Sequence, residues 1–268
     1  MERYALITGT SSGIGQALGH LLLRGISTFS TDQKDCWQVY GLCRHPERFW
    51  ENLSLDLPAP PISEPEYRSR YHPIVCDLTD RRQVVDAIRN LRRECTLDLL
   101  VNNAGIGYFG PHEELSVEKL HQMIAVNIEA PLLLTQLLLR DLKKSQGAIF
   151  NLSSVTAQKT DNTHGCAYGA TKAALSSFSS SLFEEVRKYG VRVLTLQPDM
   201  TESGFYTEAN FEPERTPDTC LGAVEVAKLA VWMLSMRTGS LVTSLTVRPQ
   251  KHRIKRKSHN LSEGSVSL

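Results

Sequence analysis

The chain lacks any cysteine arrangement that would hold a metal ion or a disulfide framework. Its six cysteines are scattered, none forms a Cys-x-x-Cys pair, and no cysteine/histidine cluster has zinc-site spacing. A chain of 268 residues can bury a large core without such staples. We therefore expect reduced thiols, no metal site and a cytoplasmic location, because disulfides follow the redox compartment.

The sequence also has almost no net charge and no long apolar run. Its 30 basic residues are balanced by 29 acidic ones, which disfavours a nucleic-acid-binding surface. The longest apolar stretch, residues 132–139, is interrupted by Thr135 and Gln136, so no membrane span is expected. The first residues enter a strand pattern directly and show no signal-peptide region.

Short apolar runs alternate with amphipathic stretches along most of the chain. Continuous apolar strands separated by helices are typical of parallel βαβ units with helices on both faces of the sheet. The pattern predicts an α/β fold with a doubly wound, Rossmann-like parallel sheet of about seven strands, in one domain over residues 1–249. The predicted strands are residues 4–7, 38–43, 73–76, 97–101, 148–152, 191–196 and 241–247, and the predicted helices are residues 16–24, 81–93, 117–144, 166–189 and 224–236.

Three segments do not follow this repeat. Residues 26–37 form a polar insert, and residues 46–72 form a second insert whose prolines predict irregular structure. Residues 250–268 are basic and then rich in serine and glycine, which predicts a disordered tail. The alternative for this tail is a basic patch that attracts phosphate or a membrane surface.

A glycine-rich turn follows the first predicted strand and precedes the first predicted helix. It reads Thr8-Gly9-Thr10-Ser11-Ser12-Gly13-Ile14-Gly15. Glycine permits a tight turn and a close approach of backbone to ligand, and the free N–H groups at a helix start attract phosphate. The placement predicts a dinucleotide site.

Two further positions bear on the choice of dinucleotide. Arg44 directly follows the second predicted strand, where an acidic residue would bind the ribose hydroxyl of NAD and an arginine pairs with the 2′-phosphate of NADP. We therefore expect NADP, with NAD as the alternative. Asp77 ends the third strand, where it either contacts adenine or caps the next helix, as Thr79 also could.

The strongest chemical signal is Tyr168-Gly-Ala-Thr-Lys172. Residues four apart share one face of a helix, so the lysine ammonium is expected to lie near the phenol. A cation there favours the phenolate and lowers a tyrosine pKa that is normally about 10. Tyr168 is thus a candidate acid/base.

The motifs above, taken with Asn127, Ser154 and the loop after Pro198 in their order along the chain, resemble those of the short-chain dehydrogenase/reductase family, single-domain type. The resemblance extends from about residue 4 to residue 247. The resemblance implies catalytic Asn127, Ser154, Tyr168 and Lys172 and a nicotinamide loop after Pro198. The cofactor-binding residues it implies or the spacing suggests are Gly9, Ser11, Ser12, Gly13, Ile14, Gly15, Arg44, Asp77, Leu78, Asn103, Ala104, Gly105, Tyr168, Lys172, Pro198, Thr201 and Ser203.

The resemblance also implies a mechanism, in which hydride transfer is coupled to proton transfer through Tyr168. Ser154 would bind the carbonyl oxygen, Lys172 would hold the nicotinamide ribose, and the Asn127 backbone would hold a water. The expected partners are a small carbonyl or alcohol substrate and a second copy of the chain, as a dimer or tetramer. The alternatives are an NAD-linked alcohol dehydrogenase, an epimerase or dehydratase, and a dinucleotide-binding sensor.

The chain departs from the family pattern at a few positions. The interval from Ser154 to Tyr168 is one residue longer than is usual, which leaves Ser153 as a fallback for the catalytic serine. Asp199 replaces the glycine that usually follows the proline, and Ser203 replaces a threonine. His164, although near Tyr168 in sequence, is interpreted as a loop residue.

Overall fold

A computed structural model describes residues 2–25, 36–51, 62–159, 161–207, 209–237 and 239–257. The strands are β1 Glu2–Thr8, β2 Cys36–Cys43, β3 Tyr71–Val75, β4 Leu99–Asn102, β5 Ala148–Leu152, β6 Arg192–Pro198, β7 Thr201–Glu202, β8 Phe211–Pro213, β9 Leu221–Gly222, β10 Ser244–Val247 and β11 Ile254–Arg256. The helices are α1 Gly13–Leu23, α2 Glu64–Ser69, α3 Arg81–Glu94, α4 Val117–Ile124, α5 Ala130–Ser145, α6 Cys166–Val186 and α7 Ala223–Leu234.

Seven of these strands form one sheet in the order β10-β6-β5-β4-β1-β2-β3, and every neighbouring pair is parallel. The chain starts in the middle with β1, winds outward to β3, and returns to β4 on the other side of β1. Such a reversal places the ends of β1 and β4 around a crevice where ligands bind. The predicted doubly wound sheet of about seven strands is confirmed.

The core lies on both faces of this sheet because successive strand residues point to opposite sides. In β1, Ala5 and Ile7 pack on the face covered by α1 and α7, whereas Leu6 packs on the face covered by α3, α5 and α6. These side chains are fully buried. The helices therefore hold the strand ends that carry the site.

The long predicted helix at 117–144 is interrupted by a π-helical turn, Ala125–Glu129, between α4 and α5. A π turn is rare and often lies at a functional position. The combined helix Val117–Ser145 is long and apolar enough to cross a membrane by length and composition alone. Half of that window is buried within the fold, and buried core helices also pass this test.

The prediction of irregular structure for residues 46–72 is wrong in part. Pro46–Trp50 forms a 3-10 helix, and α2 begins at Glu64 with Pro65 inside its first turn. Proline is accepted there because the N–H groups of a first turn have no helical partner. Residues 52–61 and 26–35 lie outside the described residues, and Cys36 and Trp37 of the first insert belong to β2.

The prediction of a disordered tail is also wrong in part. Strand β11 pairs antiparallel with β8, with Ile254 opposite Pro213 and Arg256 opposite Phe211. Lys251 forms an ion pair with Asp218, and Arg253 and Lys255 form ion pairs with Glu214. The sequence pattern did not predict these pairs. Residues 258–268 lie outside the described residues, and the single-domain boundary at 249 stays a prediction.

Candidate active site

A cavity of about 690 Å³ lies at the carboxyl ends of the central strands. Segments that follow β1, β4, β5 and β6 line it, together with the start of α6 and the C-terminal strand β11. Its position is the crevice created by the reversal of strand order. The Ser/Tyr/Lys candidates and much of the candidate nucleotide site meet here.

The turn after β1 has the backbone that its glycines predict. Gly9 and Gly13 have φ values of 74° and 59°, in the left-handed region that favours glycine. The Gly9 N–H donates to Leu42 O over 2.9 Å, which ties the turn to β2. The Asn103 amide donates to Thr8 O over 2.7 Å and to Gly9 O over 3.2 Å, so the segment after β4 fixes the same turn.

The start of α1 suits a phosphate group. Ser12 is the N-cap residue, yet its side chain makes no capping hydrogen bond, and the first turn contains no acidic residue. The first N–H groups of the helix thus lack a side-chain cap and carry the positive end of the helix dipole. Ile14, in the same turn, lines the cavity. The pyrophosphate of a dinucleotide fits these donors.

Arg44 directly follows β2, and Asp77 comes two residues after β3, which is an edge strand of the sheet. Arg44 is exposed directly after β2, and the structure records no ion pair for it within the described residues. Asp77 accepts hydrogen bonds from the backbone and hydroxyl of Thr79 over 2.9 and 2.8 Å. The cap of α3 is Asp80, which accepts from the N–H groups of the first turn, so the helix-cap alternative for Asp77 and Thr79 is wrong.

The structure brings Ser154, Tyr168 and Lys172 together at the cavity wall. Tyr168 and Lys172 lie one turn apart on α6 and are 7% and 3% exposed. Ser154 lines the same cavity, and its hydroxyl lies near enough to the Tyr168 phenol to influence the phenol pKa. The Lys172 Nζ donates to Leu152 O over 2.9 Å and lies 5.9 Å from the centre of the Tyr168 ring.

The protonation of this group is governed by burial. Burial raises the pKa of Tyr168 well above its usual range, and the nearby Ser154 hydroxyl acts in the opposite direction. Burial lowers the pKa of Lys172 to about 8. The direction of the Tyr168 shift is opposite to the prediction that Lys172 brings the phenol pKa toward neutrality, because loss of hydration is the largest influence on the phenol. At neutral pH Tyr168 is a protonated acid and Lys172 a cation.

Ser153, the fallback serine, is engaged elsewhere. Its hydroxyl donates to Lys172 O over 3.0 Å and lies 2.7 Å from the Ser176 hydroxyl. Ser154 instead caps a 3-10 helix, Val155–Gln158, by accepting from Thr156 N over 3.2 Å, which leaves its own O–H to donate. This geometry supports Ser154, and the short helix accommodates the extra residue before Tyr168.

Asn127 lies in the π-helical turn and is fully buried. Its amide donates to Ile106 O over 2.8 Å and to the Thr171 hydroxyl over 3.0 Å, and its Oδ1 accepts from Ile106 N over 2.9 Å. A β-carbon added at Gly105 would lie 3.2 Å from Lys172 Nζ and 3.5 Å from Asn127 Oδ1. Asn127 thus joins the segment after β4 to α6 beside Lys172.

The predicted nicotinamide loop lies over the glycine-rich turn. Pro198 ends β6, Thr201 begins β7, and Ser203 caps the next short helix by accepting from Phe205 N. A β-carbon added at Gly13 would lie 3.2 Å from the Ser203 β-carbon. A bulkier residue at Gly13 would therefore press against this loop. Ile14 of the turn and Ser203 of the loop both line the cavity.

The sequence did not predict the group of aromatic rings that forms another wall of the cavity. The ring centres of Phe109 and Phe205 each lie 5.4 Å from the ring centre of Tyr168. Phe211 lies 5.2 Å from Phe109. The aromatic residues of the 199–221 segment are visible in the sequence, but Phe109 gives no signal there because it follows the Asn-Ala-Gly motif without a pattern of its own.

Also missed were the cavity-lining residues His252, Ile254 and Arg256 of the C-terminal segment. His164 also lines the cavity and has a positive φ of 59°, in keeping with its interpretation as a loop residue. Within the described parts of the chain, no group of three or more potential metal-ligating side chains occurs.

Comparison with known proteins shows which family and which relatives this chain is similar to. Residues 61–214 match the family model described as short chain dehydrogenase. Serine 3-dehydrogenase of Rhizobium radiobacter is 30% identical over 93% of this chain and 94% of its own length. An NADPH-dependent 3-dehydrocapnine reductase of Ornithobacterium rhinotracheale is 29% identical over 83% of this chain and 74% of its own length.

Solved structures agree with the fold. An alcohol dehydrogenase of the archaeon Thermococcus sibiricus, complexed with 5-hydroxy-NADP, superposes with a TM-score of 0.77 at 23% identity and covers 94% of this chain and 99% of its own. The closed form of a serine dehydrogenase complexed with NADP⁺ superposes with a TM-score of 0.74 at 22% identity, over 92% of this chain and 94% of its own.

Proposed function

The chain belongs to the short-chain dehydrogenase family of oxidoreductases, which act on CH–OH and C=O groups, and from this premise we propose that it is an NADPH-linked carbonyl reductase. The observation that carries the proposal is the grouping of Ser154, Tyr168 and Lys172 at the wall of one cavity, which Ile14 of the glycine-rich turn also lines. That arrangement has a proton donor, an oxyanion-stabilising donor and a phosphate site within one crevice.

The preference for NADP rests on Arg44. An exposed guanidinium directly after β2, with no carboxylate of the described residues paired to it, suits the 2′-phosphate that distinguishes NADP from NAD. Relatives and structural neighbours that bind NADP or NADPH support the same choice. Gly9, Gly13 and the start of α1 would hold the pyrophosphate.

The other proposed contacts are with the adenine end and the nicotinamide end of the dinucleotide. Asp77 and Leu78 would border the adenine. The segment after β4, the nicotinamide loop and Lys172 would border the nicotinamide riboside. The proposed residues on these surfaces are Ser11, Ser12, Ile14, Gly15, Asn103, Ala104, Gly105, Pro198, Thr201 and Ser203, with Lys172 at the ribose.

The reaction divides among three side chains. A nicotinamide cofactor, when bound, would supply the hydride. Tyr168 donates its proton to the substrate oxygen. The raised pKa keeps the phenol protonated at neutral pH, so the proton is available for this step. Ser154 donates a hydrogen bond to the same oxygen as negative charge develops on it. The Lys172 ammonium stabilises the tyrosinate left after proton donation.

Asn127 is a positioning residue in this scheme. Its side chain is occupied by Ile106 and Thr171, so it acts by holding the segment after β4 against α6. The predicted role of its backbone, to hold a water that links Lys172 to solvent, is retained as part of the proposal.

A screen of NADPH oxidation against aldehydes, ketones, quinones and 3-oxo acyl esters tests the function. We expect turnover with at least one class, equal amounts of alcohol formed and NADPH consumed, and a slower rate with NADH. Tight NADPH binding without turnover across the screen would instead favour a dinucleotide sensor. Turnover without net consumption of cofactor would favour an epimerase or dehydratase.

A further inference from the structure

A small antiparallel sheet, β8 with β11, borders the mouth of the cavity. The segment is held from both sides. Lys251 pairs with Asp218, and the Lys257 Nζ donates to Tyr206 O over 2.7 Å and to Thr207 O over 2.9 Å. These contacts fix the C-terminal segment against the loop that covers the site.

Within β11, successive side chains point to opposite faces, so Lys255 and Arg256 face different environments. Lys251 pairs with Asp218, and Arg253 and Lys255 lie within ion-pair distance of Glu214, at 3.8 and 3.6 Å. The residues between them, His252, Ile254 and Arg256, line the cavity. Lys251, Arg253 and Lys255 are thus paired with carboxylates, whereas Arg256 lines the cavity.

The charges around the cavity are unbalanced. Asp199 is the one carboxylate among its described lining residues, and its Oδ1 accepts from Met200 N over 2.9 Å. Of the four lysine and arginine residues there, Lys172 and Lys257 are bonded to backbone carbonyls, and the exposed Lys159 has no ion pair recorded within the described ranges. Arg256 has no ion pair recorded with any residue in the described ranges. A guanidinium facing a cavity in this way is suited to a planar carboxylate, which it can bind through two hydrogen bonds.

An aromatic surface connects this guanidinium with the catalytic phenol. Arg256 lies opposite Phe211 in the strand pair, the Phe211 ring centre is 5.2 Å from that of Phe109, and Phe109 is 5.4 Å from Tyr168. A substrate with its carbonyl at Tyr168 would therefore lay an apolar body along these rings before reaching Arg256.

On the basis of the proposed function, we propose that Arg256 is a specificity-determining residue that binds the carboxylate of an aromatic or otherwise apolar keto acid or aldehydo acid. The cation binds the end of the substrate remote from the carbonyl. A neutral compound of the same shape occupies the rings and the catalytic site but lacks this contact.

The test uses para-acetylbenzoate and its methyl ester, which share the ring and the ketone and differ in charge. We would measure the Kd of each by calorimetry with NADP⁺ present, and kcat/KM of each with NADPH, in the wild type and in Arg256→Gln. Lys255→Gln is the matched control, because it removes the same charge from the adjacent residue, which faces Glu214 instead of the cavity.

We expect the wild type to bind the acid more tightly than the ester, and Arg256→Gln to weaken acid binding by about tenfold or more, the effect of one charge-assisted contact. Ester binding should stay within about twofold, and Lys255→Gln should leave both values nearly unchanged. The loss of kcat/KM for the acid should appear mainly in KM, since the contact is remote from the reacting carbonyl.

Acid binding to the wild type that is no tighter than ester binding, including no binding of either, would overturn the proposal. An equal loss for acid and ester in Arg256→Gln, or the same loss in Lys255→Gln, would also overturn it, because the arginine would then act on structure or on overall charge. Arg256-dependent acid binding without turnover would contradict the proposed reductase activity alone, and turnover of both compounds without acid preference would contradict the Arg256 role alone.

Discussion

Replacing Lys172 with methionine should make the cofactor-free protein more stable while impairing its function. Lys172 is 3% exposed, and burial lowers its pKa to about 8 from an ordinary 10.5. The unfolded chain therefore binds this proton more tightly than the folded chain does, so the stability of the wild type rises with pH between these two values. Below pH 8 the folded protein carries the full unfavourable effect of a buried ammonium.

The size of the effect follows from the pKa difference. At pH 7 the buried amine destabilises the fold by about 3 kcal/mol, and at pH 9.5 by roughly half as much. The Nζ hydrogen bond to Leu152 O offsets about 1 kcal/mol of this. Lys172→Met should thus gain about 2 kcal/mol in free energy of unfolding at pH 7 and close to nothing at pH 9.5.

Urea unfolding of the cofactor-free protein at the two pH values measures this difference. Lys159→Met is the matched control, since Lys159 borders the same cavity but is exposed, and its free energy of unfolding should change by less than about 0.5 kcal/mol. A Lys172→Met protein less stable than wild type at pH 7, or a gain that does not shrink as pH rises, would refute the reasoning. The same variant should bind NADPH more weakly and turn over more slowly.

Two further predictions concern the cofactor and the assembly. NADPH should bind at least about tenfold tighter than NADH, and Arg44→Ala should remove most of that difference while NADH affinity stays nearly unchanged, as fluorescence titration would show; equal affinities in the intact protein would contradict the assignment. The chain should form at least a symmetric dimer through the Val117–Ser145 region and α6, where Val117 and Ile124 are 83% and 52% exposed. Light scattering that shows a 30.0 kDa particle at micromolar concentration would contradict this.

The regular parts of the fold could be predicted because their periodicity is strong and local. Residues 148–152 are predicted and found as a strand, and α3 differs from its predicted range by one residue. The apolar spacing of Val84, Ile88 and Leu91 is sufficient because each of them is buried in the structure. The doubly wound arrangement then followed from the handedness of parallel crossovers, without a prediction of the strand order.

The elements that were missed depend on contacts between distant parts of the chain. Strand β11 exists through its pairing with β8, about forty residues away, and no local pattern in its run of basic residues reveals that pairing. The short helix α2 is held by Tyr67, whose hydroxyl meets His20 Nδ1 over 2.6 Å. The π turn at Asn127 likewise follows from bonds to Ile106 and Thr171 rather than from helix propensity.

The candidate catalytic group shows the same division. Spacing along one helix was enough to place Tyr168 beside Lys172, and the resemblance to a family added Ser154 and Asn127. The direction of the Tyr168 pKa could not be predicted, because it depends on how deeply the phenol is buried in the assembled cavity.

The role of Tyr168 as proton donor is tested most directly by the turnover of Tyr168→Phe on a confirmed carbonyl substrate. The substitution removes one hydroxyl and little volume, so NADPH affinity should stay within a few-fold while kcat falls by about a hundredfold to ten-thousandfold. Tyr189→Phe, which alters an exposed phenol beyond the end of α6, should retain wild-type kcat. Full activity in Tyr168→Phe with unchanged NADPH binding would contradict the proposed mechanism.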